Sequence, residues 1–144
     1  MAFWFGYKLT TTGAYATDVD QAYFLYATDD DLGALTTNGN LHFVYSIGGV
    51  DYITDLGVAI TADTVYRLKI AFDSTRRISV FVNSTQYGLT LSSAPGGVTQ
   101  TNSRAKSLIM SSSAELIPLM AVQTLSGTNA VCNFSFIKAS RTIA

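Results

Sequence analysis

The chain has 144 residues, a net charge of -1 and 48% hydrophobic residues, which suits one domain, residues 1–144, able to bury its own core. Charged residues make up only 13%, about half the usual share, so either neighbours cover part of the surface or Ser, Thr and Asn solvate it. The thin scatter of Lys and Arg offers no basic stripe to nucleic acid, and no apolar run approaches the roughly 20 residues a membrane-crossing helix needs.

The first stretch, MAFWFGYKLT, has no basic segment followed by an apolar one, so use without secretion is expected. In it Phe3, Phe5, Tyr7 and Leu9 alternate with Trp4 and Lys8, the period of a strand with an apolar and a wet face. Gln21 to Ala27 (QAYFLYA) is aromatic on both faces and predicts a central strand. Asp29, Asp30 and Asp31 read as a solvated turn after it. Leu41, Phe43, Tyr45 and Ile47 alternate again, with His42 on the opposite face. Gly48-Gly49 predicts a turn, and Val50 to Leu56 a returning strand.

Thr61 to Thr64 reads as a turn before the clearest hairpin. In it Tyr66, Leu68, Ile70 and Phe72 alternate with Arg67 and Lys69, Asp73 to Arg76 turn, and Ile78, Val80 and Val82 resume the pattern. Phe81 interrupts the polar face as a surface or interface aromatic. Asn83-Ser84-Thr85 predicts a second turn, leading to a short strand from Gln86 to Leu91. Ser92 to Ser113 is a long Ser-, Thr- and Gly-rich segment whose charges are Arg104 and Lys106. Leu116 to Leu125 is an apolar strand in which Pro118, lacking a donor, favours an edge or a bulge. Cys132, Phe134 and Phe136 alternate in a last strand ending near Arg141. Short strands joined by turns, with almost no helical signal, predict an all-β antiparallel sandwich or barrel.

The chemistry that catalysis needs is sparse. His42 is the single histidine and Cys132 the single cysteine, which excludes a His and Cys metal site. Cys132 reads as a small buried apolar side chain, and no Gly-x-Ser-x-Gly motif occurs. Glu115 is the one glutamate. Asp51 and Asp55 share a strand face roughly 13 Å apart, too far for a glycosidase pair. Three successive Asp at 29–31 cannot all face one calcium ion. No enzyme, metal or cofactor is expected. The remaining candidates for binding are aromatic: Trp4, Tyr15, Tyr23, Tyr52, Phe81 and Tyr87, if they face outward.

TADTVYRLKIAFDSTRRISVFVNSTQYGL resembles the core hairpin of concanavalin-like and laminin-G-like jelly rolls. Tyr66-Arg67-Leu68, Phe72-Asp73 and Val80-Phe81-Val82-Asn83 hold that hairpin's aromatic, basic and Val/Asn places, with Ser84 where glycine is usual. LIPLMAVQTLSG and a final strand ending in SR look like the short jelly rolls that tailed bacteriophages carry in virion structural proteins. The resemblance implies a concanavalin-like antiparallel β-sandwich. It also implies a capsid decoration (cement) protein, made in the host cytoplasm and placed on the capsid surface. Such a protein is a homo-oligomer, with a trimer the expected form, bound to the major capsid protein. Trp4, Phe81, Arg104 and Lys106 are the candidate interface residues. The alternative is a carbohydrate-binding module of a phage fibre or tail, whose partner is a glycan.

Overall fold

The computed structural model describes residues 1–10, 18–28, 39–89, 109–123, 133 and 138. Its elements are β1 (Ala2–Lys8), β2 (Gln21–Ala27), β3 (Asn40–Ile47), β4 (Val50–Ala59), β5 (Leu68–Phe72), β6 (Ile78–Val82), β7 (Thr85–Tyr87) and β8 (Ile117–Gln123). No helix occurs among the described residues. The strands form two antiparallel sheets. One has five strands in the order β4-β3-β2-β1-β8, the other three in the order β5-β6-β7. The all-β expectation holds. QAYFLYA takes the central position foreseen for it, and the strand containing Pro118 ends the five-stranded order.

Local chemistry fixes the turns. Gly48 and Gly49 have φ of 59° and 82°, the left-handed pair that matches the twist of a tight hairpin, and they join β3 to β4. At the β5–β6 turn, Asp73 Oδ1 accepts the Thr75 and Arg77 N–H groups at 2.8 and 3.0 Å. Arg76 sits at φ 62° and sends its Nε to the Met110 carbonyl at 2.8 Å. The end of the long Ser-rich segment is thus pinned to this turn. The rest of that segment, with Arg104 and Lys106, lies outside the described residues, as do Asp29 to Asp31, Tyr15, Cys132, Phe134 and Phe136.

The two sheets share a core. Phe24, Leu41, Phe43 and Tyr45 from the large sheet pack with Ile78, Val80, Val82, Leu89 and Met110. Phe24 and Phe43 meet edge-on with centroids 5.3 Å apart, a favoured aromatic geometry. Each such side chain, fully withdrawn from water, contributes roughly 1.5–3 kcal/mol.

The expected wet face of β1 and β3 is corrected by the structure. The opposite side of the large sheet holds a second buried cluster of Trp4, Tyr23, Leu25, Val44 and Ile53. Lys8, Gln21, His42 and Ser46 on that same side are 0% exposed. The sheet is therefore buried on both faces at its centre, and its polar side chains are accommodated by pairing across strands rather than by water. The hairpin departs in the other direction. Leu68 and Ile70 are only half-buried and Phe72 is 36% exposed.

Candidate functional site

Two features stand out among the described residues: a buried polar row on one side of the large sheet and an apolar groove on the other. The row arises from register. Lys8 lies opposite Gln21, Gln21 opposite Ser46, and Ser46 opposite Asp51. Directly opposed residues share a face, so four polar side chains line up across β1, β2, β3 and β4. Lys8 Nζ donates to Gln21 Oε1 at 3.0 Å, Gln21 Nε2 donates to Ser46 Oγ at 2.7 Å, and Ser46 Oγ donates to Asp51 Oδ1.

Asp18 closes the Lys8 end, 3.9 Å from Nζ. Its carboxylate accepts the Leu9 and Thr10 N–H groups at 2.9 and 3.0 Å and the Thr10 hydroxyl at 2.9 Å. Burial raises the Asp18 pKa, but the Thr10 donors, Lys8 and the Leu9 N–H outweigh it and hold the carboxyl below its usual range. Burial lowers the Lys8 pKa, and the charge of Asp18 offsets part of that. Each link has its partner, and no three His, Cys, Asp or Glu side chains among the described residues gather as metal ligands. The row cross-ties four strands.

His42 belongs to a separate cluster two rows along, beyond Tyr23 and Val44. Its Nδ1 lies 3.1 Å from the Asn40 carbonyl, which can only accept, so Nδ1 carries the proton. Nε2 is 3.9 Å from Asp55 Oδ2. Asn40 Nδ2 and the Gly57 N–H hold that carboxylate. Burial depresses the His42 pKa against the opposing influence of Asp55 and the Asn40 carbonyl. Asp51 and Asp55 thus serve different partners, in keeping with the spacing read from the sequence.

The groove lies on the other side, where β5 runs over β1 and β8. It has a volume of about 210 Å³ and is lined chiefly by Phe5, Tyr7, Leu68, Ile70, Pro118 and Met120, with Lys69 and Lys138 at its margin. Tyr7, in its lining, meets Phe72 edge-on with ring centroids 5.8 Å apart. Pro118, Met120 and Val122 sit opposite Tyr7, Phe5 and Phe3 and so share their inward side. All three are nevertheless exposed, Met120 by 36% and Val122 by 38%. The large sheet overhangs the small one along β8 and leaves an apolar strip open.

The interface residues expected from sequence fare differently. Trp4 is 1% exposed inside the second cluster and offers no ring to a partner; Tyr23 is likewise buried. Both were binding candidates only if they faced outward, and the burial of both sides of the sheet removes that condition. Phe81 is half-buried, with Lys69 Nζ 4.9 Å above its ring. Tyr52 is half-buried against Tyr45, with centroids 4.8 Å apart. Tyr87 is half-buried too. Arg104 and Lys106 lie outside the described residues. The strip along β8 was missed, although the unbroken apolar run LIPLMAV, with no polar alternation, was its signal.

Comparison of the chain with protein-family models, with curated proteins and with solved structures finds no match in any of the three. The concanavalin-like resemblance rests on the residues of the hairpin themselves.

Proposed function

We propose that this protein is a structural assembly module that works by binding protein, and that the open apolar strip along β8 is part of its contact surface. The observation that carries the reading is the overhang. Pro118, Met120 and Val122 lie on the inward side of a five-stranded sheet yet are exposed. An apolar surface of this kind marks a place where another molecule completes the core. The low charge of the chain fits the same reading, since interface centres are depleted in charged residues.

Within this reading the fold is a jelly-roll sandwich and the setting is a virion. The hairpin resemblance points to a capsid decoration protein, oligomeric and bound to the major capsid protein. Such a protein stabilises a head by linkage, because it binds the assembled shell and not its parts. A glycan-binding role has less to support it, as the most exposed aromatic side chain among the described residues, Phe72, is only 36% exposed and packs edge-on against Tyr7.

The test is association. Light scattering behind size exclusion should show an oligomer, and the oligomer should sediment with expanded capsids of the source phage. Met120→Glu should weaken that association by about tenfold or more, while leaving the unfolding midpoint of the isolated chain almost unchanged, since Met120 is a surface position. A monodisperse monomer that ignores capsids sinks the reading.

A further inference from the structure

The two strand edges that border the groove differ in what their backbones offer. In an antiparallel pair, alternate residues exchange backbone bonds with the neighbouring strand, and the residues between them direct N–H and C=O the other way. The Asn83 N–H donates to the Arg67 carbonyl at 2.9 Å, and the Asp73 N–H to the Arg77 carbonyl at 3.0 Å. The register between them pairs Lys69 with Phe81 and Ala71 with Ser79. Arg67, Lys69, Ala71 and Asp73 therefore bond toward β6. Leu68, Ile70 and Phe72 turn their backbone groups away from it, over the groove.

The same parity applied to β8 gives a different edge. The Thr28 N–H donates to the Met1 carbonyl, so Phe3, Phe5 and Tyr7 bond toward β2, and Ala2, Trp4, Gly6 and Lys8 toward β8. Their partners are Gln123, Ala121, Leu119 and Ile117, which leaves Pro118, Met120 and Val122 facing outward. Pro118 has no N–H to give. A proline at an outward position blunts an edge against pairing. The β5 edge keeps its donor at every outward position and ends its sheet among the described residues.

We infer that β5 accepts one further strand from a partner protein, an extended segment with apolar residues at alternate positions and carboxylates between them. This rests on the assembly reading above and names its site. Strand addition at an open edge draws affinity from backbone bonds and specificity from alternate side chains. The inner side chains of the added strand would lie on Phe5, Tyr7, Pro118 and Met120. Its outer side chains would stand beside Lys69, on the outer face of β5, and Arg67, the residue just before the strand, neither of which has a carboxylate partner among the described residues. Opposite charges across neighbouring strands are favourable. The overhang also decides against a second copy joined β5 to β5. Beneath β5 the large sheet continues through β1 to β8, and a symmetric copy would drive its own large sheet into that space. A single extended segment fits.

The test uses the whole protein and a capped peptide of about eight residues alternating Val and Glu, long enough to span β5 at ~3.3 Å per residue. Its control has the same composition in two blocks. The alternating peptide should bind at least about tenfold more tightly and should protect the amides of Leu68, Ile70 and Phe72 from exchange. Lys69→Glu should weaken it. Ile70→Pro should abolish binding that Ile70→Ala retains, since the Ile70 N–H points away from β6 and proline there spares the β5–β6 ladder. If Ile70→Pro does not fold, the peptide carries the distinction, because N-methylation at Val, opposite the outward residues of β5 in antiparallel register, should block binding and N-methylation at Glu should not. Equal affinity for the two peptides, equal effects of the two N-methylations, or β5 amides already protected by a second copy would overturn the inference. Assembly that survives Ile70→Pro, with no peptide binding, removes the strand site and leaves the assembly reading standing. Peptide binding to a chain that never assembles supports the strand site and removes the assembly reading alone.

Discussion

Gly6 and Ser84 show how single residues fit this fold, one through space and one through backbone angle. Gly6 lies opposite Tyr23, and a Cβ there would fall well inside contact distance of the Ala22 carbonyl oxygen and the Tyr23 Cα, both backbone atoms. Backbone cannot swing aside as a long side chain can. Gly6→Ala should cost about 1–3 kcal/mol or more, read as a lower midpoint in chemical denaturation. Asn83 and Ser84 form the β6–β7 turn at φ of 49° and 71°. Asn tolerates that region, and its Oδ1 accepts the Arg67 N–H at 2.9 Å. Ser84 is strained there, at a cost of roughly 1–2 kcal/mol for an L-residue. Ser84→Gly should recover about 1 kcal/mol and raise the melting temperature. The sequence placed this turn and marked Ser84 as unusual; the positive angles show that the turn kept its geometry and the serine bears the strain.

At the scale of elements, the polar row explains how β1 to β4 can be buried on both sides. Ser46 is its hinge, accepting from Gln21 and donating to Asp51. Ser46→Ala should leave the Gln21 amide and the Asp51 carboxylate each short of a partner. An unsatisfied buried polar group costs about 1–3 kcal/mol, and Ser46→Thr, which keeps the hydroxyl, should lose less; denaturation midpoints of the two variants decide it. None of this was visible in sequence. Lys8, Gln21 and the Ser46–Asp51 pair are far apart along the chain, and only strand register aligns them. His42 was placed on the face away from Leu41 and Phe43, and it is there. Its burial came from a second packed face that alternation could not announce.

Among the described residues, two groups shape the stability of the molecule in acid. His42 has its pKa lowered by burial, so the folded chain stays unprotonated where the unfolded chain, near its ordinary value of about 6.5, takes up a proton. Stability should therefore be full above about pH 6.5 and fall below it, until the folded His42 titrates too. Asp18 also has a lowered pKa, but for a carboxyl this means stability is present above about pH 3.8 and is lost as pH falls through the folded value. Two descents are expected in unfolding free energy against pH. His42→Gln should flatten the upper one and leave the lower one in place.

Period-two alternation, with Gly48-Gly49 and Asp73 to Arg76 between the strands, was enough to determine an antiparallel all-β chain and the central place of QAYFLYA. Those features depend on near neighbours, whose side-chain direction and turn angles are written locally. The sequence also states which residues share a face: Leu68 with Ile70 and Phe72, or Lys8 with Trp4. It does not state how many layers cover that face. Coverage depends on sheet width, and width is set by segments far away in the chain. Among the described residues the five-stranded sheet extends past the three-stranded one and leaves Met120 open, while a second packed side encloses Trp4 and Lys8. The direction of the outward backbone groups on β5 was likewise decided by tertiary register, because hydrogen-bond parity exists only once a strand has a partner.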